Sequence, residues 1–266
     1  MKIFISSDIE GTTGIAHWDE TEPDKRGYEY FSRQMTKEVN AVCEAAYQGG
    51  ATKITVKDAH DTARNIDPTG LPEGVEIIRG WARNPLMMMA GIDKSYDGVI
   101  FTGYHSAGGT SGNPMAHTMS GSYEYIKIND YVISEFILNT YTAAYFGVPV
   151  LMVSGDKELC EQAKKTIPQI QTVAVNEGYG NGVISIHPEL ALAKLKEAVA
   201  RALSGNLKDC LIKLPQQFRM EIRYRQHFYA YRGSFYPNAK QIGPKTLAFE
   251  SNDYMDILTF FMFVST

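Results

Sequence analysis

The sequence contains few cysteines, and no two of them have the spacing of a metal or redox motif. Cys43, Cys160 and Cys210 are the only cysteines among 266 residues. An odd number of widely spaced cysteines does not fit a disulfide framework. We therefore expect small buried thiols, and we expect the protein to be located in a reducing cytoplasm.

The sequence also lacks an excess of basic charge and a long apolar run. Its formal net charge is −4 at pH 7, which gives no electrostatic footprint for nucleic acid. The strongly apolar run from Phe260 to Val264 is too short to span a bilayer. The first residues reach Asp8 before any long apolar stretch, so they do not resemble a signal peptide. We expect neither a nucleic acid nor a membrane partner.

Common nucleotide and hydrolase motifs are absent. The glycine-rich stretch from Gly103 to Gly112 contains neither G-x-G-x-x-G nor G-x-x-x-x-G-K-[ST], so no nucleotide-cofactor residues are predicted. There is also no G-x-S-x-G elbow and no H-E-x-x-H pair. The sequence therefore lacks the best-known motifs of dinucleotide-binding proteins, P-loop proteins, serine hydrolases and single-zinc proteases.

Strand and helix patterns alternate through most of the chain. Apolar residues from Tyr28 to Ala46 recur every three or four positions, which predicts an amphipathic helix ended by Gly49-Gly50. Val99 to Tyr104 is typical of a strand buried on both faces. The alternation predicts an α/β fold with a largely parallel sheet flanked by helices. A helix is also predicted from Asn84 to Ala90.

The pattern changes near residue 185. A helix is predicted from Pro188, and two later strands, Phe218 to Tyr224 and Thr246 to Glu250, are each followed by a helical stretch. We therefore predict an α/β metal-binding catalytic domain over residues 1–184. A smaller C-terminal α+β domain is predicted over residues 185–266, packed tightly against the first.

Acidic and histidine side chains stand at the ends of three predicted strands. Asp8 and Glu10 follow the first strand, two positions apart and so on the same side of it. His60 and His105 end the next two apparent strands in the same way. Open α/β sheets place their active sites at the carboxyl ends of strands. This convergence of carboxylates and imidazoles predicts a centre for Zn²⁺ or Mn²⁺.

Three further residues are candidates for the functional site, and each has an alternative role that the sequence leaves open. Asp58 could orient His60 or be an ordinary turn acid. His117 lies on the glycine-rich loop after His105, where it could serve as acid, base or nucleophile, or be a surface histidine. Glu135 begins a helix and could ligate a metal or only complement the helix dipole, with Ser134 as the cap.

Five separated motifs resemble one known family. In order along residues 1 to 160 they read SDIEGTTG, KDAH, FTGYH, MAHTM and SEFILNTYTAAYFGVPVLMVSGD. Together they are similar to the bacterial zinc-dependent D-aminopeptidases of the dipeptide-operon type. The resemblance implies a metallopeptidase that releases N-terminal residues, such as D-Ala, from short peptides.

The resemblance also implies a site and an assembly. Two zinc ions per subunit would be held at the family's ligand positions, and His117 falls on its proposed catalytic histidine; the ligands are Asp8, Glu10, His60, His105 and Glu135. A homo-oligomeric ring, a homodecamer in the family, would enclose the active sites. Ser106 to Gly109 and Ser134 depart from the family pattern, which leaves the substrate preference open.

Five ligands are too few to give two zincs four protein contacts each without sharing, and we expect Asp8 to bridge them. Two metals would activate a water and polarise the substrate carbonyl. His117 would act as a proton shuttle, the role favoured here, or as a nucleophile.

Three alternatives belong to other classes of function. The first is a dizinc hydrolase of L-peptides or of another amide. The second is a haloacid-dehalogenase-like phosphatase, because Asp8 to Thr12 reads D-I-E-G-T, close to the D-x-D-G-T of that family. Such an enzyme would not need the three histidines. The third is a non-catalytic metal-binding assembly protein.

Overall fold

The chain forms two β-sheets and six α-helices, described for residues 1–266 by a computed structural model. The strands are β1 Lys2–Ser7, β2 Lys53–Asp58, β3 Val75–Ile78, β4 Gly98–Tyr104, β5 Tyr123–Ile128, β6 Tyr131–Val132, β7 Val150–Asp156, β8 Gln171–Tyr179, β9 Gly182–Ser185, β10 Phe218–Tyr224, β11 Lys240–Gly243 and β12 Thr246–Ser251. The helices are α1 Tyr28–Gln48, α2 Glu135–Tyr145, α3 Lys157–Thr166, α4 Pro188–Ser204, α5 His227–Gly233 and α6 Tyr254–Val264.

The larger sheet has the order β3-β2-β1-β4-β7-β8-β9. All neighbours pair in parallel except β8 and β9, which are antiparallel. α1 and α4 pack against each other and against this sheet, and α2 and α3 contact β4 and β7. Every residue of β4 is buried, because helices cover both faces of this central strand. The predicted α/β fold with a largely parallel, helix-flanked sheet is confirmed.

The smaller sheet is antiparallel, with the order β11-β12-β10-β5-β6. α5 and α6 pack on β10 and β12. β5 and β6 belong to this sheet although they come from the middle of the chain, whereas α4 packs on α1 and β8. The division into residues 1–184 and 185–266 stays a prediction.

The helix predicted from Asn84 to Ala90 is wrong. Only a short 3₁₀ turn, Met87–Met89, is present. The Asn84 side-chain oxygen accepts the backbone N–H of Leu86, and Met87 has a φ of 46°, so a continuous α-helix cannot form. No helix in the fold has the length and apolar character that a membrane crossing requires.

Candidate metal centre and active site

The predicted metal-binding side chains meet at one edge of the larger sheet. β2, β1 and β4 are parallel neighbours, so their carboxyl ends lie side by side. Asp8 is central in the cluster. Its Oδ1 lies 3.2 Å from Nδ1 of His60, and its Oδ2 lies 3.6 Å from Nε2 of His105. Both histidines are buried, as is Asp8.

Two glycines allow the ends of β1 and β4 to approach this closely. The N–H of Gly11 donates to the carbonyl of Gly103 at 2.8 Å. A Cβ atom on Gly103 would stand 2.1 Å from the Asp8 carbonyl oxygen, and one on Gly11 would stand 1.9 Å from that of Tyr104. Gly103 also has a φ of 68°, which disfavours other residues. Only backbone without a side chain fits here.

All three histidines are held by backbone carbonyls. The hydrogen bonds join His60 Nε2 to Thr21 O at 3.0 Å, His105 Nδ1 to Ser106 O at 3.0 Å, and His117 Nδ1 to Met115 O at 2.9 Å. A carbonyl oxygen can only accept, so the nitrogen in each of these bonds carries the hydrogen. In the neutral form of each ring the other nitrogen presents a lone pair to the carboxylates, as a metal ligand must.

Glu10 and Glu135 complete the cluster. Glu10 Oε2 lies 3.0 Å from His60 Nδ1, and Glu135 Oε2 lies 3.4 Å from His105 Nε2. Glu135 Oε1 accepts the N–H of Met119 at 2.7 Å, which aims the other oxygen into the site. Ser134, expected as a helix cap, makes no such bond; its hydroxyl donates to Gln162 instead.

The charged groups in this cluster strongly shift one another's pKa values. Burial raises the pKa of Asp8 well above its usual range, and the charges of Glu10 and Glu135 raise it further. Burial alone would lower the pKa of His105, but the carboxylate of Glu135 raises it well above its usual value. Burial raises the pKa of Glu135, but the charge and hydrogen bond of His105, together with His117 and Asp8, lower it to about 2. Buried carboxylates of this kind need positive charge beside them.

A metal ion satisfies that need better than a proton does. Three buried atoms, Glu10 Oε2, His105 Nε2 and Glu135 Oε2, have no hydrogen-bond partner in the protein. Ligand atoms in each of three groups lie within 4.8 Å of one another; the groups are Asp8–Glu10–His60, Asp8–His105–Glu135 and Glu10–His105–His117. Carboxylate oxygens and imidazole nitrogens are zinc ligands. The residues present therefore fit zinc.

His117 lies against this cluster on the glycine-rich loop. Its ring stacks on that of His105, and its Nε2 lies 3.6 Å from Glu135 Oε1. Trp18 covers it, with ring centroids 5.2 Å apart. Burial and the charge of His105 lower the pKa of His117. The side chain is therefore neutral and faces the pocket.

Asp58 does not contact His60 directly. Its carboxylate accepts the backbone N–H groups of Asn65 and Ile66, and the Asn65 amide donates to the His60 carbonyl at 2.7 Å. It thus holds the loop that carries His60, while the carbonyl of Thr21 orients the ring. Nothing in the sequence marks Thr21 for this role, because the contribution comes from its backbone.

Lys57 and Trp81 bind backbone carbonyls of the loop that carries His60. Lys57 is fully buried, and its amine donates to the carbonyls of Asp58 at 2.5 Å and Gly80 at 3.0 Å. The amine also lies 4.7 Å from the centre of the Trp81 ring, and the indole N–H donates to the Asp61 carbonyl. Burial lowers the pKa of Lys57 to about 8. Nothing in the sequence marks either residue for this role.

Asp156 supports His105 from β7. Its carboxylate accepts the N–H of Ser106 at 2.7 Å and the N–H of Leu159 at 2.9 Å, so it also caps α3. The Ser106 carbonyl in turn holds His105. The sequence signal for Asp156 was only that of a helix cap.

Comparisons with known proteins show the family to which the chain belongs. The D-aminopeptidase family matches residues 1–263. A D-aminopeptidase of Bacillus subtilis (strain 168) is 30% identical over 258 residues, covering 96% of this chain and 93% of its own. The solved structure of the Zn-dependent D-aminopeptidase DppA from Bacillus subtilis, described as a self-compartmentalizing protease, superposes with a TM-score of 0.93 at 29% identity. That superposition covers 100% of this chain and 97% of the other. The chain belongs to the D-aminopeptidase family.

Proposed function

We propose that this protein is a zinc-dependent aminopeptidase that removes N-terminal D-amino acids, such as D-Ala, from short peptides. The observation that carries the proposal is the position of Asp8, which is shared by two groups of potential metal ligands. Membership of the D-aminopeptidase family supports the same activity. A haloacid-dehalogenase-like phosphatase would leave the buried histidines without a role.

Two zinc ions per subunit are proposed, with Asp8 between them. Glu10 and His60 would hold one ion together with Asp8, and His105 and Glu135 would hold the other. Bound zinc would polarise the scissile carbonyl and make water a stronger nucleophile at neutral pH. Thr21 and Ser106 keep the two ligand rings in the required orientation.

His117 is proposed as the proton carrier. Its Nδ1–H is fixed to the Met115 carbonyl, so Nε2 has a free lone pair facing the cluster. Nε2 would accept a proton from the attacking water and deliver it to the nitrogen of the scissile amide. A lowered pKa keeps the ring neutral, which suits the first of these steps.

The pocket suits the positively charged end of a peptide. It has a volume of about 280 Å³ and contains no lysine or arginine. Glu22 and Asp61 line it, are exposed, and form no ion pair with the protein. These carboxylates would attract the α-ammonium group of the substrate, which favours cleavage at the amino terminus over cleavage within a chain.

A ring of ten copies in the cytoplasm is also proposed. The related DppA is described as self-compartmentalizing. Large apolar side chains that an interface would cover, including Tyr131, Tyr179 and Phe235, are 72–78% exposed in this chain. Three cysteines are buried as free thiols, which suits a reducing compartment. Native mass spectrometry should give the mass of ten chains; a monomer would contradict the ring.

The activity is tested with zinc-loaded protein and matched peptides. D-alanyl and L-alanyl dipeptides should be compared with the same peptides acetylated at the amino group. We expect release of D-alanine only from the unblocked D-peptide. Hydrolysis of the L-peptide alone would contradict the stereochemistry, and cleavage of the acetylated peptide would contradict the exopeptidase assignment.

A further inference from the structure

A second cavity adjoins the metal pocket. Its volume is also about 280 Å³, and the two cavities share Trp81 and Met119 as walls. Met87, Tyr123 and Phe261 also line the second cavity. The two shared residues therefore place a second, more apolar space next to the metal pocket.

Arg83 is the only charged side chain that lines the second cavity. It is exposed, and its guanidinium makes no hydrogen bond or ion pair with the protein. Its backbone has a φ of 54°, in the left-handed region, and Asn84 closes the following turn through its bond to Leu86 N–H. The sequence thus maintains an unusual backbone that places a free guanidinium at this cavity.

The side chains that line the two cavities differ in the sign of their charge. The metal pocket is lined by five carboxylates, and the second cavity has one guanidinium and no carboxylate side chain. A short peptide has the complementary arrangement, with an ammonium group at one end and a carboxylate at the other. Guanidinium pairs with carboxylate in a two-point hydrogen-bonded geometry that lysine cannot reproduce.

We propose that the second cavity binds the leaving part of the peptide and that Arg83 binds its terminal carboxylate. This inference rests on the proposed aminopeptidase function and adds a determinant of substrate class to it. Arg83 would select peptides that end within the cavity. Longer chains, and peptides whose carboxyl end is blocked, would lose this ion pair.

The test compares a peptide with a free carboxylate and the same peptide as its carboxamide. The wild-type enzyme should prefer the free acid in kcat/KM by roughly 10- to 100-fold, the range expected for a charged hydrogen-bonded pair. Arg83→Gln should reduce kcat/KM for the acid to the level of the amide, mainly through KM. Its activity on the amide should not change, and Arg83→Lys should recover part of the preference.

Arg79→Gln is the matched control. Arg79 is exposed and lines neither cavity; its guanidinium donates to the Arg64 carbonyl. The control has the same change of charge and should keep the wild-type preference. An Arg83→Gln enzyme that still prefers the acid, or that loses activity equally on both peptides, would overturn the inference.

The outcomes also separate this inference from the proposed function. Equal cleavage of acid and amide by the wild-type enzyme would reject the Arg83 subsite and leave the aminopeptidase function intact. Absence of cleavage of either peptide by the zinc-loaded enzyme would contradict the function and the subsite together.

Discussion

The rings of His105 and His117 stack with their centroids 4.3 Å apart and their planes inclined by 19°. Their roles are nevertheless expected to differ, because His105 lies beside Asp8 and Glu135 whereas His117 projects from the loop. We predict that His117→Ala retains both zincs and reduces turnover by roughly 100-fold or more. Metal analysis and initial rates measured on the same preparation check this.

His227→Ala provides the control for that variant, since His227 is exposed at the start of α5. It should match the wild-type enzyme in both measurements. Loss of a zinc from His117→Ala would instead make His117 a ligand, in line with its place beside Glu10 and His105. Undiminished turnover would remove it from the mechanism.

Removal of zinc should destabilise the fold. Asp8, Glu10 and Glu135 are at most 3% exposed, and without cations their charges repel one another at close range. Ligands that bind only the folded state raise its stability by mass action. We predict that chelation lowers the melting temperature by roughly 5–15 °C and that added zinc restores it. A metal-free protein that melts at the same temperature would show that the cluster is stable without metal.

Gly103→Ala should damage the site by separating two strand ends. The new Cβ would stand 2.1 Å from the Asp8 carbonyl oxygen, and the backbone φ of 68° is unfavourable for alanine. We predict a loss of about 3–5 kcal/mol in the free energy of unfolding, with weaker zinc binding. Gly121→Ala is the control, because its Cβ would meet nothing within 4 Å. Equal stability of the two variants would refute the close-approach argument.

Lys57 should make the free energy of unfolding depend on pH in the alkaline range. Burial lowers its pKa to about 8 in the folded protein from an ordinary value of 10.5. Between pH 8 and pH 10.5 the unfolded chain binds more protons than the folded protein does. The free energy of unfolding therefore rises with pH over this range. Relative to Lys57→Met, the wild-type protein should therefore gain stability from pH 8 to pH 10.5, on the order of 2 kcal/mol after solvent screening. Denaturant titrations of both proteins at several pH values check this; a difference independent of pH would contradict it.

Much of the framework of the site was predictable from the sequence. Asp8, His60 and His105 follow three apolar strands, and parallel neighbours end at one edge of a sheet, so local pattern and topology alone predict their meeting. The bounds of β10 were predicted correctly, since an alternating run marks this strand clearly. β9 and β11 were missed because both are short edge strands without a buried residue.

The groups that orient the ligand side chains were not predictable from the sequence in the same way. Thr21, Ser106 and Met115 act through backbone carbonyls, whose positions depend on tertiary packing and not on residue type. The sequence around Lys57 does not indicate that its amine lies over the Trp81 ring, because that contact depends on the fold. The helix predicted at residues 84–90 failed because side-chain bonding by Asn84 and a left-handed Met87 oppose the apolar pattern.

The zinc content of Asp8→Ala tests the central claim most directly, because Asp8 belongs to both of the ligand groups proposed to hold the two zincs. Zinc per chain should be measured after dialysis of purified wild-type protein, Asp8→Ala and His60→Ala against zinc-containing buffer and then zinc-free buffer. We predict two zincs in the wild-type protein, one in His60→Ala and none in Asp8→Ala. Retention of two zincs by Asp8→Ala would contradict the shared, bridging carboxylate.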